Sequence, residues 1–262
     1  MDNKYLERDS APISADTWKL LDDTMIAAAK SRLAGRRLIS IEGPFGFGLK
    51  VIPMGDSDGE DGVVGSTFIP VSLIKSEFTL GKRDLASYEK DKLAIDLNPV
   101  ARAAIDCAAK EDGIIFHGVR GNPGLLTVKG SSSQAIGKWD TIGTAADQVI
   151  DAVTKLDNAG FHGPYSMALA PAEFNLLLRR YPQGEGTELD HIRTIVTEGV
   201  VKAPGMKKGG VLLASGSQYS SLAIGQDMTI GYIGPEANSL LFQVVESLAL
   251  LVKAPESICV LK

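Results

Sequence analysis

Few side chains in this 262-residue chain could do chemistry, and their spacing argues against it. The three histidines, His117, His162 and His191, lie far apart, with no clustered His/Glu spacing of a metal site. Each is expected in a loop or at the surface. Cys107 falls in a helical run and Cys259 in an apolar strand, with no C-x-x-C. Both read as buried small hydrophobes. Glu111-Asp112 could act as an acid–base pair, but at a helix end the expected role is structural. The run GDSDGEDG, residues 55–62, holds Asp56, Asp58, Glu60 and Asp61 in a spacing that suggests calcium. It has no bidentate Glu at the twelfth place and no flanking helix, so a solvated hairpin tip is expected. GPFGFG, residues 43–48, is followed by neither Lys-Ser/Thr nor a helix, and so does not read as a phosphate loop. No G-x-S-x-G, Ser-x-x-Lys or dinucleotide fingerprint occurs. No catalytic residue and no metal ligand is assigned.

Composition narrows the class further. The chain is 44% hydrophobic and 23% charged, as in ordinary globular proteins. A net charge of −5 argues against a nucleic-acid partner, which favours a basic face. No apolar run reaches the roughly 18 residues of a membrane span, and the charged start MDNKYLERDSAPIS is unlike a secretory signal. A cytoplasmic, soluble protein with no membrane partner is the expectation.

The elements follow from periodicity. Ser14 is expected to cap a helix through Leu33, with Asp16 in its first turn and Gly35 closing it at C′. Trp18, Leu21, Met25, Ala29 and Leu33 form one stripe. Arg36–Glu42 alternates like a half-buried strand. Leu49–Pro53 and Val63–Leu80 read as two long extended arms around the acidic tip. A ribbon of that reach cannot bury both faces within one molecule, so it is expected to pack on a neighbouring subunit. Arg83–Lys92 and Asn98–Phe116 are helices, the second with Asn98 as N-cap and Pro99 at N1. Leu125–Val128 reads as a strand. Thr144 and Asp147 suggest a capping box for a helix through Leu156. Ser166–Ala170, Val211–Ala214, Leu240–Val252 and Ser257–Leu261 read as strands. LAIGQDMTIGYIG, residues 222–234, reads as two strands joined at Gln226-Asp227. Its glycines alternate with large apolar residues and imply close approach of another backbone, with one accessible face for a partner peptide.

Taken together the chain resembles the encapsulins, shell proteins of bacterial and archaeal nanocompartments. The resemblance rests on Ala11-Pro12 before a helix carrying Trp18, then Gly35-Arg36, Glu42-Gly43-Pro44 with Phe45, and Phe78-Thr79-Leu80. It continues through Glu111-Asp112 with Ile115-Phe116 and Gly118, Gly163-Pro164-Tyr165, and Gly225-Gln226-Asp227 with Ile230-Gly231-Tyr232. It implies an α+β fold, the tailed-phage major capsid fold of the Hong Kong 97 type. The N-terminal arm, helix and first strand would span 1–48, and the extended loop 49–80. The peripheral domain would span 81–120 and 221–262, and the axial domain 121–220.

The resemblance also implies function: self-assembly into a closed icosahedral shell, the smallest size being favoured by the short chain, around a cargo enzyme. The usual cargoes are a peroxidase or a ferritin-like protein, with roles in oxidative stress or iron storage. The cargo's C-terminal targeting peptide would dock at Met25, Ala29, Leu33, Arg36, Ile230 and Tyr232. Tyr181, Gln183, Gly184, Glu185, Gly186 and Glu188 would line a pore, its acids favouring cations. Some relatives carry an acid where this chain has Ser40. Some bind flavin on an aromatic where this chain has Arg83, so no cofactor is expected. A phage or prophage capsid protein is the second reading and a hydrolase the third.

Overall fold

In a computed structural model, residues 4–59, 62–182, 184 and 186–262 are described. In chain order the elements begin with 3-10 turns Lys4–Leu6 and Arg8–Ser10, then α1 (Ala15–Arg32), a 3-10 turn Gly35–Arg37 and β1 (Ser40–Glu42). Next come β2 (Val51–Asp58), β3 (Val64–Pro70), β4 (Ser72–Gly81), α2 (Lys82–Asp91) and α3 (Asn98–His117). The short strands β5 (Gly118–Val119), β6 (Asn122–Pro123) and β7 (Ser132–Gln134) precede α4 (Thr144–Asn158), β8 (Tyr165–Leu169), α5 (Pro171–Leu176) and α6 (Glu188–Ile195). The remainder is β9 (Gly199–Lys202), β10 (Gly210–Ala214), β11 (Ser220–Ile224), β12 (Thr229–Glu236), β13 (Ser239–Val252) and β14 (Ile258–Leu261).

The chain divides into two compact units. One holds Met1–Leu33, Gly43–Glu111 and Ile224–Ala249; the other holds Ala34–Glu42, Asp112–Ala223 and Leu250–Lys262. In the first, β13 pairs antiparallel with β12 on one side and β4 on the other. Tyr232, Phe242 and Phe78 lie directly opposite one another across the three strands. Opposed residues share a face, so three aromatic rings form a row. Phe242 stands 5.4 Å from Phe78 and 5.5 Å from Tyr232 between centroids. Trp18 of α1 meets it edge-on at 5.8 Å. The α1 stripe Leu21, Met25 and Ala29 is buried with that row. The register slips between Tyr232 and Gly234, and the extra residue, Ile233, is exposed. The glycine-rich loop docks on the same unit. Phe45 N–H donates to the Ile224 carbonyl and Gly46 N–H to that of Gly225. Gly43, at φ +107°, lies where a Cβ would fall 2.5 Å from the Ile224 oxygen, so no other residue fits.

The second unit is built on a five-stranded sheet ordered β7-β14-β10-β8-β9. Trp139, Val149, Leu156, Met167, Leu212 and Cys259 lie in its core. A parallel pair, β1 with β11, belongs to the same unit.

Several expectations are corrected. α1 ends one residue early and Gly35 does not close it. The Ala34 and Gly35 N–H groups instead donate to Asp112 Oδ1, at 3.1 and 2.9 Å, which accounts for the buried carboxylate of Asp112 as a structural anchor. That 3-10 turn shortens the expected 36–42 strand to Ser40–Glu42. Leu125–Val128 is a turn, not a strand. The Leu125 and Leu126 N–H groups go to the Ile115 and Phe116 carbonyls, supplying donors to the end of α3, where helix carbonyls lack partners.

Replacing Phe242 with Ala removes the ring that touches three others. It is expected to cost about 3–5 kcal/mol in chemical denaturation, with faster amide exchange along α1.

Candidate functional site

The face formed by α1 and β12 carries most of the residues expected from the resemblance to bind a peptide. Its position depends on how α1 is held at its start. The Ser14 side chain accepts from Thr17 N–H at 3.2 Å, the expected N-cap. Glu89 of α2 then takes the Ser14 N–H at 2.5 Å and the Thr17 hydroxyl at 2.9 Å. These donors, the Ser14 N–H foremost, hold the Glu89 carboxyl below its usual range.

Ahead of α1, the arm of residues 4–10 lies on β12. Leu6 is 2% exposed, and a Cβ on Gly231 would stand 3.2 Å from its carbonyl oxygen and 3.3 Å from its Cδ2. Arg8 places its guanidinium 3.9 Å from the Trp18 ring centroid. The same group donates to both Asp22 oxygens at 3.0 and 2.6 Å and to the Ile230 carbonyl at 3.0 Å. One side chain thus ties α1 to β12.

The peptide-binding residues expected from sequence fall in different environments. Met25, Ala29, Ile230 and Tyr232 are buried. The accessible strand face expected there is covered, because α1 and the arm both pack against β12. Leu33 is half-buried at the end of α1; Arg36 is half-buried in the 3-10 turn of the second unit. Ser40 and Arg83 are exposed.

The expected pore residues belong to the second unit. Gln183 and Glu185 lie outside the described residues. Gly184 and Gly186 are exposed, and Tyr181 is half-buried with its hydroxyl 3.0 Å from His191 Nδ1. Desolvation first, then the negative charges of Glu188 and Asp147, raises the Tyr181 pKa. Glu188 is fully buried and presents no carboxylate to solvent. Its Oε1 accepts from Gly143 N–H at 2.9 Å and Ala146 N–H at 3.1 Å, capping α4, while Arg179 lies 3.7 Å from Oε2. This replaces the expected Thr144/Asp147 box: Gly143 is the N-cap and no side-chain cap forms there. A real capping box, Thr187 with Asp190, opens α6.

The residues weighed for chemistry are scattered. His117, His162 and His191 are exposed, and Cys107 and Cys259 are buried. Among the described residues no group of three or more His, Cys, Asp or Glu is placed to hold a metal ion. No described helix is long and apolar enough to cross a membrane.

Residues 1–249 match a family profile, Linocin_M18, described as an encapsulating protein for peroxidase. The type 1 encapsulin shell protein EncA of Myxococcus xanthus is 30% identical, the alignment covering 98% of this chain and 96% of EncA. The chain belongs to the encapsulin shell proteins. Among solved structures, the virus-like particle from Pyrococcus furiosus superimposes with a TM-score of 0.77 at 20% identity, over 95% of this chain and 100% of that one. The capsid of Myoviridae phage XM1 gives 0.57 at 14% identity, over 87% and 89%. The encapsulin therefore has the Hong Kong 97-type capsid fold, α+β as expected, and forms a capsid-like nanocompartment from copies of itself.

Reasoning from sequence missed three groups that shape this encapsulin's two candidate regions. Thr187-x-x-Asp190 had a readable signal, a Thr followed three places later by an acid. Arg8 and Glu188 had none, since their partners are distant in the chain.

Glu188→Ala is expected to destabilise the encapsulin by about 2–3 kcal/mol, and Glu188→Gln by roughly half as much, because Gln still accepts but carries no charge. Thermal unfolding gives the order. For Glu89, a folded pKa below the unfolded value of about 4.3 means its stabilisation is complete above that value and is lost as pH falls through the folded pKa. Protection of the amides of residues 14–20, taken relative to their intrinsic exchange rate, should fall as the pH drops below about 4.3. Glu89→Gln should flatten that dependence; an unchanged profile would remove Glu89 from the account.

Proposed function

We propose that the shell encloses a peroxidase, recruited through a targeting peptide at the cargo's C-terminus that docks on the α1–β12 face. The observation that carries this reading is the arm itself. A short segment outside either element lies against both, held by the aliphatic Leu6 and the cationic Arg8, so the face accepts a peptide of that kind. Main-chain and pocket contacts of this sort are how short segments are recognised. The family description names peroxidase as what is enclosed, which favours it over a ferritin-like cargo. Peroxide removal inside a cytoplasmic compartment is the role that follows. The shell contributes binding and enclosure, and the enclosed enzyme supplies the chemistry.

Two further parts have roles in this reading. The β2–β3 ribbon leaves Val51, Met54, Val63, Val64 and Phe68 exposed, and it packs on a neighbouring copy in the shell. Tyr181, Gly184 and Gly186 line a pore. Glu188 gives that pore no charge, its carboxylate being committed to α4.

The test is co-expression of this chain with a peroxidase that either keeps or lacks its C-terminal tail. Shells purified with the tailed enzyme should retain haem absorbance, and removing the tail should lower loading at least tenfold, as expected when many equivalent interior sites act together. Equal loading without the tail would overturn peptide docking. Shells filled with nucleic acid would favour the capsid reading.

A further inference from the structure

The arm that supports peptide docking also obstructs it. Lys4–Leu6 and Arg8–Ser10 are single 3-10 turns joined by Glu7 at φ 51°. A non-glycine residue takes that left-handed conformation only where its surroundings hold it. The Glu7, Ser10 and Ala11 N–H groups bond to carbonyls within the arm, those of Lys4, Glu7 and Arg8. The arm is therefore a small, locally closed piece. Leu6 and Arg8 are its anchors on α1 and β12, and Tyr5 adds a stacked contact with Phe47 at 6.1 Å.

The seat of each anchor has a specific chemistry. Leu6 fits against Gly231 because that position has no side chain. Arg8 fits where an indole face, a carboxylate and a strand carbonyl converge. An arginine gains there through ring stacking and forked hydrogen bonding together. β12 ends the strand order of its sheet, and outermost strands present backbone groups without ladder partners. The Ile230 carbonyl that Arg8 takes is on this strand.

We propose that the arm is an exchangeable self-ligand of the α1–β12 face, which an incoming targeting peptide must displace. This rests on the peptide-docking reading above. An entering peptide then has to replace what the arm gives up: an aliphatic side chain over Gly231 and a cation between Trp18 and Asp22. The arm sets a threshold on uptake. Apparent affinity falls by the fraction of time the face is free, so a peptide lacking either feature leaves the face closed.

A fluorescent synthetic peptide of residues 4–13, KYLERDSAPI, provides the probe, with binding read by anisotropy after shells are disassembled and reassembled in its presence. Shells carrying Leu6→Ala and Arg8→Ala should bind it about tenfold or more tighter than wild-type shells, as for an arm in place at least nine-tenths of the time. A peptide with Leu6→Asp and Arg8→Ala should bind neither. Equal affinity for both shells, or binding to neither, would overturn the proposal. Should the double variant fail to assemble, Arg8→Gln serves in its place. In wild-type shells, saturating peptide should also speed amide exchange in residues 4–10 while slowing it in 229–232; an unchanged arm again overturns the idea. The two readings fail separately. Loading that ignores the cargo tail, with the arm peptide still bound tenfold tighter by the variant, removes the cargo and leaves the self-ligand. Tail-dependent loading with equal arm-peptide affinity keeps the cargo and removes the self-ligand.

Discussion

Phe242 is the contact on which the first unit depends. It lies on the central strand of β12-β13-β4 and meets Phe78 and Tyr232 across the sheet and Trp18 from the helix above. Aromatic pairs add roughly 0.5–1.5 kcal/mol beyond the area they bury. Here one ring serves three such pairs, so helix and strands are fixed to each other. Trp18 then does a second job. One side of the indole packs on Phe242 and its face receives Arg8. The arm is therefore docked on a surface that exists only because the aromatic row has already placed α1.

Much of this was legible in sequence, within limits set by range. The Ser14 cap, the α1 stripe and the two strands around Gln226-Asp227 depend on neighbours a few residues away, and the structure reproduces them. Asn98, expected as the N-cap of α3, is instead its first residue, with the Leu97 carbonyl accepting the first helical N–H. Long-range polar contacts left no local trace. Asp112 supports Ala34 and Gly35 from more than seventy residues away, and Glu188 caps a helix more than forty residues before it. In each case a carboxylate was visible and its partners were backbone N–H groups, which every residue but proline possesses and none advertises. The same limit explains the α1–β12 face. Alternation in MTIGYI identified a strand with something close against it, and the glycine at 231 marked where. The sequence pattern could not name the occupant, and Leu6 lies there.

Glu188 illustrates how burial decides the meaning of a charge. Read in a glycine-rich loop, an acid suggests a wall facing water and passing ions. Placed at the start of α6 it is the first residue of one helix and the cap of another, with Arg179 near its second oxygen. A buried carboxylate is tolerated only when such partners replace water. Its role is to fix α4 relative to α6.

The same accounting of exposed and satisfied groups separates the two ends of the first unit. The arm covers one outer strand with a few side-chain contacts, and nothing hydrophobic of Leu6 is left in water. The β2–β3 ribbon has no such cover: Phe68 is 62% exposed and Val64 58%, and a two-stranded ribbon alone is marginal in water. Contacts made within a chain form at any concentration, whereas contacts between copies require a neighbour and strengthen with assembly. The proposed packing of the ribbon on a neighbouring copy covers these side chains. The arm exchange proposed above draws on contacts within one chain, whereas the ribbon's proposed packing draws on a neighbouring copy.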